Sequence, residues 1–66
     1  MQVQVNGSMR EVGQRSSLVE FIEQMELDPR YLVIEYNGRA LGRADFASVM
    51  LEDGDRLELV RPVAGG

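Results

Sequence analysis

Met1-Gln2-Val3-Gln4-Val5-Asn6-Gly7 decides how the chain begins to fold. Its apolar residues fall on odd positions, the period of a half-buried strand. Asn-Gly then tolerates positive φ at both turn positions, the strongest short hairpin signal. Ser8 through Val12 reads as the return strand, ended by Gly13. Downstream, Ser17-Leu18-Val19-Glu20 has the form of a capping box, in which Ser17 accepts from the Glu20 amide and Glu20 reaches back. Leu18, Phe21, Ile22 and Met25 follow at i, i+3, i+4, i+7 and make one apolar helix face. Leu27-Asp28-Pro29 is expected to end that helix, because a residue before proline is driven out of the α region.

Tyr31 to Tyr36 is aromatic and β-branched and reads as a central strand. A second Asn-Gly, Asn37-Gly38, predicts another hairpin, with Arg39-Ala40-Leu41 returning. Ala44 to Met50 predicts a weak helical turn capped by Asp45, with Phe46, Val49 and Met50 facing inward. Glu52-Asp53-Gly54-Asp55 is a turn, and Arg56 to Arg61 a last strand with Leu57 and Leu59 inward. Pro62 stops it, having no N–H for a ladder. The order is β-β-α-β-β-turn-β. The link from the second strand through the helix to the third is long enough to cross over between parallel strands. The expected class is α+β: a mixed sheet of about five strands packed on one main helix, the β-grasp topology.

Sixty-six residues make one domain with a thin core. The chain has no Cys and no His, which removes disulfides, thiolate chemistry, the usual zinc ligands and the commonest general base. No metal site and no bound cofactor are expected. No apolar run is long enough to span a bilayer, and residues 1–5 lack the basic start of a signal peptide. A cytoplasmic location is expected. The net charge of −4 repels nucleic acid and anionic lipid, so the expected partner is a protein with a basic or mixed surface.

The chemistry is expected at Gly65-Gly66. Residues 1–61 are read as the folded domain and residues 62–66 as a flexible tail. Without Cβ atoms, Gly65 and Gly66 fit a narrow channel in another protein's active site. Five extended residues reach about 15–18 Å. The Gly66 α-carboxylate, with an ordinary pKa of roughly 3.3–3.7, is an anion and a poor electrophile, so acyl chemistry on it requires activation such as ATP-driven adenylation. Glycines also end chains as frayed tails, and on the residues alone both readings stand.

The chain resembles the ThiS family of ubiquitin-like sulfur carriers. The resemblance rests on Val5-Asn6-Gly7, Ser17-Leu18, Tyr36-Asn37-Gly38, Arg43, Leu51-Glu52-Asp53-Gly54-Asp55 and Val63-Ala64-Gly65-Gly66. It implies a protein co-substrate, not an enzyme. ATP would be used by a ThiF-like adenylyltransferase, which adenylates Gly66. The glycine then becomes a thiocarboxylate that gives sulfur to the thiazole synthase ThiG in thiamin biosynthesis. Gly65 would be the channel-fitting neighbour, Pro62, Val63 and Ala64 would meet the partner, and the free chain would be a monomer. The pattern departs from the family at Gly42-Arg43, often Pro-Arg, and at Pro62, often an apolar side chain. A MoaD-like or other pathway-specific carrier, or a non-catalytic ubiquitin-like interaction module, is the alternative.

Other constellations read as structural. Glu52, Asp53 and Asp55 are expected to solvate a turn, lacking the longer ligand series of a calcium loop. Ser16 and Ser17 have no activating base and read as caps. Tyr31 and Tyr36 read as strand residues, the exposed one a candidate interface anchor. Arg39, Arg43, Arg56 and Arg61 either protect sheet edges or steer docking.

Overall fold

The computed structural model describes residues 1–62. Strands β1 (Gln2–Val5), β2 (Ser8–Glu11), β3 (Val33–Tyr36), β4 (Arg39–Ala40) and β5 (Arg56–Val60) form one mixed sheet in the order β2-β1-β5-β3-β4. Helix α1 (Leu18–Gln24) contributes Leu18, Phe21 and Ile22 to the core they share with Val3, Val5, Ile34, Leu57 and Leu59. This is the expected β-grasp architecture.

Both Asn-Gly pairs form the turns their chemistry demands. Asn6 and Gly7 have φ of 50° and 86°, and Asn37 and Gly38 have 51° and 86°. Two consecutive left-handed residues match the twist of the strands they join. The capping box also forms: Glu20 N–H donates to Ser17 Oγ at 3.0 Å, and Ser17 N–H donates to Glu20 Oε1 at 3.2 Å. Such a cap stabilises a helix by about 1 kcal/mol.

The crossover through α1 joins β2 to β3, which run the same way, as expected, but are not neighbours; the adjacent parallel pair is β1 with β5. β3 is an interior strand, and β5 lies at the middle of the sheet. Leu57 has no solvent exposure and sits where both halves of the sheet meet.

Several local boundaries differ from the sequence pattern. Helix α1 ends before Pro29, in a Schellman turn: Leu27 N–H donates to Ile22 O and Glu26 N–H to Glu23 O, with Glu26 at φ 59°. Asp28-Pro29 starts an element instead of stopping one. Asp28 caps the short 3₁₀ turn Pro29–Tyr31 by accepting from Arg30 N–H at 2.9 Å, so β3 begins only at Val33. Tyr31 is thereby in a turn, 64% exposed, with the Arg30 guanidinium 5.5 Å from its ring centre.

The predicted turn near Phe46 is a 3₁₀ helix over Arg43–Ser48, entered from Gly42 with no side-chain cap. Phe46 is buried, as expected. Met50 is not, at 52% exposure. Residues 49–51 are extended and pair with 16–18 beside the start of α1, through Leu18 N–H to Val49 O and Leu51 N–H to Ser16 O. Period two then turns Leu51 inward and Met50 outward.

Candidate functional site

The site expected from sequence follows β5 in the chain, so the way β5 is held matters most. Its entry is built on Asp55, which is only 6% exposed. Its carboxylate accepts from the Tyr36 hydroxyl at 2.8 Å, Asn37 Nδ2 at 3.1 Å and the Glu52 backbone N–H at 2.8 Å. Asp55 is therefore a buried tie and not the solvating turn residue expected. Asp53 keeps closer to expectation at the surface, yet it too is engaged, accepting from Gln2 N–H at 2.7 Å. Burial first, then the hydrogen bond to Asp55 and the nearby Asp55 and Glu52 charges, push the Tyr36 hydroxyl up to about 12. The phenolate form is disfavoured because it would set a half-buried anion beside the Asp55 carboxylate.

The two hairpin asparagines grip β5 from opposite sides. Asn37 accepts from Arg56 N–H through Oδ1 at 2.8 Å, and its backbone N–H donates to Arg56 O. Asn6 accepts from Leu59 N–H at 2.7 Å and donates from Nδ2 to Leu59 O at 3.1 Å. Each side-chain amide stands in for a ladder residue, so each Asn both turns its own hairpin and extends pairing onto β5. Asn-Gly marked the turns in the sequence, but nothing there showed that the side chains would reach residues 53 positions away from Asn6 and 19 from Asn37.

Past Leu59 these ties stop. Val60, Arg61 and Pro62 are exposed, and Pro62 lies outside the strand it was expected to end. Of the predicted site residues, Pro62 is the one described; Val63, Ala64, Gly65 and Gly66 lie outside the described residues. An open depression bordered by Met1, Gln14, Arg15, Met50 and Asp53 is at the other end of β5 and has no part in this exit. Among the described residues no cluster of His, Cys, Asp or Glu is placed to hold a metal ion, and no helix is long and apolar enough to cross a membrane.

The model of the ThiS family matches residues 3–66, from β1 through the final glycine. The chain belongs to the ThiS family. Two solved structures agree with this ThiS assignment. The crystal structure of the thiamine biosynthesis protein ThiS from Geobacter metallireducens is 28% identical, covers all of both chains and superposes with a TM-score of 0.85. An NMR structure of a thiamine biosynthesis protein from the same organism is 28% identical, covering all of this chain and 88% of the other, with a TM-score of 0.81. A relative named thiazole synthase, from Paramagnetospirillum magneticum, is 27% identical over 66 residues. That match spans all of this ThiS-family chain but only 20% of the relative.

Proposed function

We propose that this chain carries sulfur for the thiazole of thiamin, as a protein co-substrate acted on by other enzymes. The family match over residues 3–66 is the observation that carries the reading. The fold supports it: β5 is fixed at its entry and through Leu59, and hands on to residues 62–66 an exposed exit that another protein can grasp. Four residues beyond Pro62, if extended, span about 13–14 Å.

In the proposed sequence the Gly66 carboxylate attacks the α-phosphorus of ATP on a ThiF-like adenylyltransferase. Pyrophosphate leaves and a glycyl-adenylate remains. Hydrosulfide from the sulfur source then adds to the activated carbonyl and expels AMP, leaving the thiocarboxylate. Gly65 gives the channel room, and Pro62, Val63 and Ala64 meet its mouth. The thiocarboxylate next surrenders its sulfur to a ThiG-type thiazole synthase. A relative named thiazole synthase that contains a segment like this chain within its own length supports that recipient.

Intact-mass measurement tests the proposal. Incubation with ATP, the adenylyltransferase and a sulfur source should add the mass gained when oxygen is replaced by sulfur. Deleting Gly66 should abolish the gain while the circular dichroism spectrum stays native, because a terminal residue contributes little packing. An unchanged mass for the native chain removes the reading.

A further inference from the structure

The two Asn-Gly turns hold a reactivity that the carrier reading does not use. In such a pair the glycine nitrogen can attack the asparagine Cγ, because no Cβ on the glycine hinders it. Ammonia leaves and a succinimide ring forms; water then opens the ring to aspartate or isoaspartate. The net change is a side-chain amide for a carboxylate, with water the only other reactant. Both asparagines and both glycines are exposed. In each turn, side-chain bonds to β5 or Asp55 hold the amide, so the attack waits until the turn opens. The turns differ in what keeps them shut. Asn6-Gly7 joins two strands of four residues, paired from Gln2–Glu11 to Val5–Ser8 and closed further by Val12 N–H to Met1 O. Asn37-Gly38 joins β3 to a β4 of two residues, paired at Glu35–Ala40 and Tyr36–Arg39, with Leu41 N–H to Ile34 O beyond them. β4 is also an outermost strand, so nothing in the sheet braces its far side.

We propose that Asn37 is a site of spontaneous deamidation, the first of the two asparagines to convert, and that its conversion unfastens the start of β5. Asn37 Nδ2 donates to Asp55 Oδ1 at 3.1 Å. Deamidation replaces that nitrogen by an anionic oxygen and sets a second carboxylate against Asp55, which is only 6% exposed. The ion pairs among the described residues join Met1 to Glu11 and Arg30 to Asp28, so Asp55 has no cation to share. Isoaspartate does further damage: it routes the main chain through Cβ, inside a turn already built on two left-handed residues. At Asn6 the same chemistry would set an oxygen against Leu59 O in place of the 3.1 Å bond. That site is the slower one, because the longer hairpin opens less often. A chain converted at Asn37 keeps its exit at Val60 to Pro62 but loses the clamp that fixes the other end of the strand. The carrier therefore ages at a defined position, whatever partner it serves.

The test incubates the purified chain at mildly alkaline pH and maps aspartate and isoaspartate by peptide mass. Each rate is divided by the rate at the same position in urea, which removes the effect of local sequence. That ratio should be about fivefold larger at Asn37 than at Asn6, and below unity at both. Equal ratios, a larger ratio at Asn6, or no conversion at Asn37 overturns the proposal. Asn37→Asp and Asn37→Gly then separate the new charge from the lost bond. Both lack the amide donor, and glycine keeps the left-handed turn. Asn37→Asp should melt about 4–8 °C below Asn37→Gly. An aspartate variant that does not fold, beside a glycine variant that does, supports the proposal equally. The Arg56 guanidinium, with Nη2 3.5 Å from where a Cβ on Gly38 would stand, is the group placed to absorb the new charge. If the two variants melt together, it does so, and the unfastening of β5 is overturned.

Discussion

At Asp55 and Arg56, where β5 begins, one buried carboxylate gathers three donors and Asn37 brackets the next peptide from both sides. At Val60 to Pro62, where it leaves, the side chains are exposed and the last side-chain clamp is Asn6 on Leu59. The same short strand is thus a fixed post at one end and an open handle at the other. A carrier needs both: a rigid base gives the exit a defined direction, and a bare exit leaves its backbone for a partner to bind.

The largest expected effect breaks the fixed end. Asp55→Ala strands the Tyr36 hydroxyl, Asn37 Nδ2 and the Glu52 N–H, and should cost about 3 kcal/mol in urea unfolding. A loss below about 1 kcal/mol would erase the contrast between the two ends. Asn6→Gly comes next. It preserves the left-handed turn but removes both bonds to Leu59, for about 1–2 kcal/mol. Amide exchange should speed up at Leu59 and Val60 more than at Arg56.

Tyr36→Phe should cost about 1 kcal/mol near neutral pH, and its pH profile is the sharper test. The folded Tyr36 value of about 12 lies above the ordinary 10.0. Its contribution is therefore complete below pH 10 and lost as pH rises from 10 towards 12. Native stability should fall across that window, and the Phe variant should lack that component of the fall. The smallest effect belongs to the open end: Pro62→Ala should shift stability by no more than about 0.5 kcal/mol, read from the same urea curves.

What the sequence disclosed follows the range of the forces involved. Both Asn-Gly turns and the Ser17–Glu20 capping box are local devices, each complete within four residues, and each formed as read. The alternation at Leu57 and Leu59 correctly placed the core face of β5. The position of β5 in the middle of the sheet depends on pairing with residues far away in the chain, which no local pattern discloses. Asp28-Pro29 was misread because proline both stops a helix and starts a turn, and the Asp28 cap decides between them. Met50 was assigned by helical spacing although its backbone is extended. Asp55 looked like a solvated turn acid because its donors, Tyr36 and Asn37, come from another hairpin. Of the candidate site, the diglycine was legible as composition, while the exposed root from Val60 to Pro62 required the fold.

The parallel seam between β1 and β5 also governs when this protein can form. Asn6 bonds Leu59 across 53 positions of chain, and Gln2 bonds Asp53 across 51. Contacts of such high order are slow to close, and a lone two-stranded hairpin is marginal in water. During synthesis, a nascent chain halted before Arg56 would hold two hairpins with no strand between them and their apolar undersides unjoined. Folding must therefore wait for the final strand, and it then locks both halves in one cooperative step.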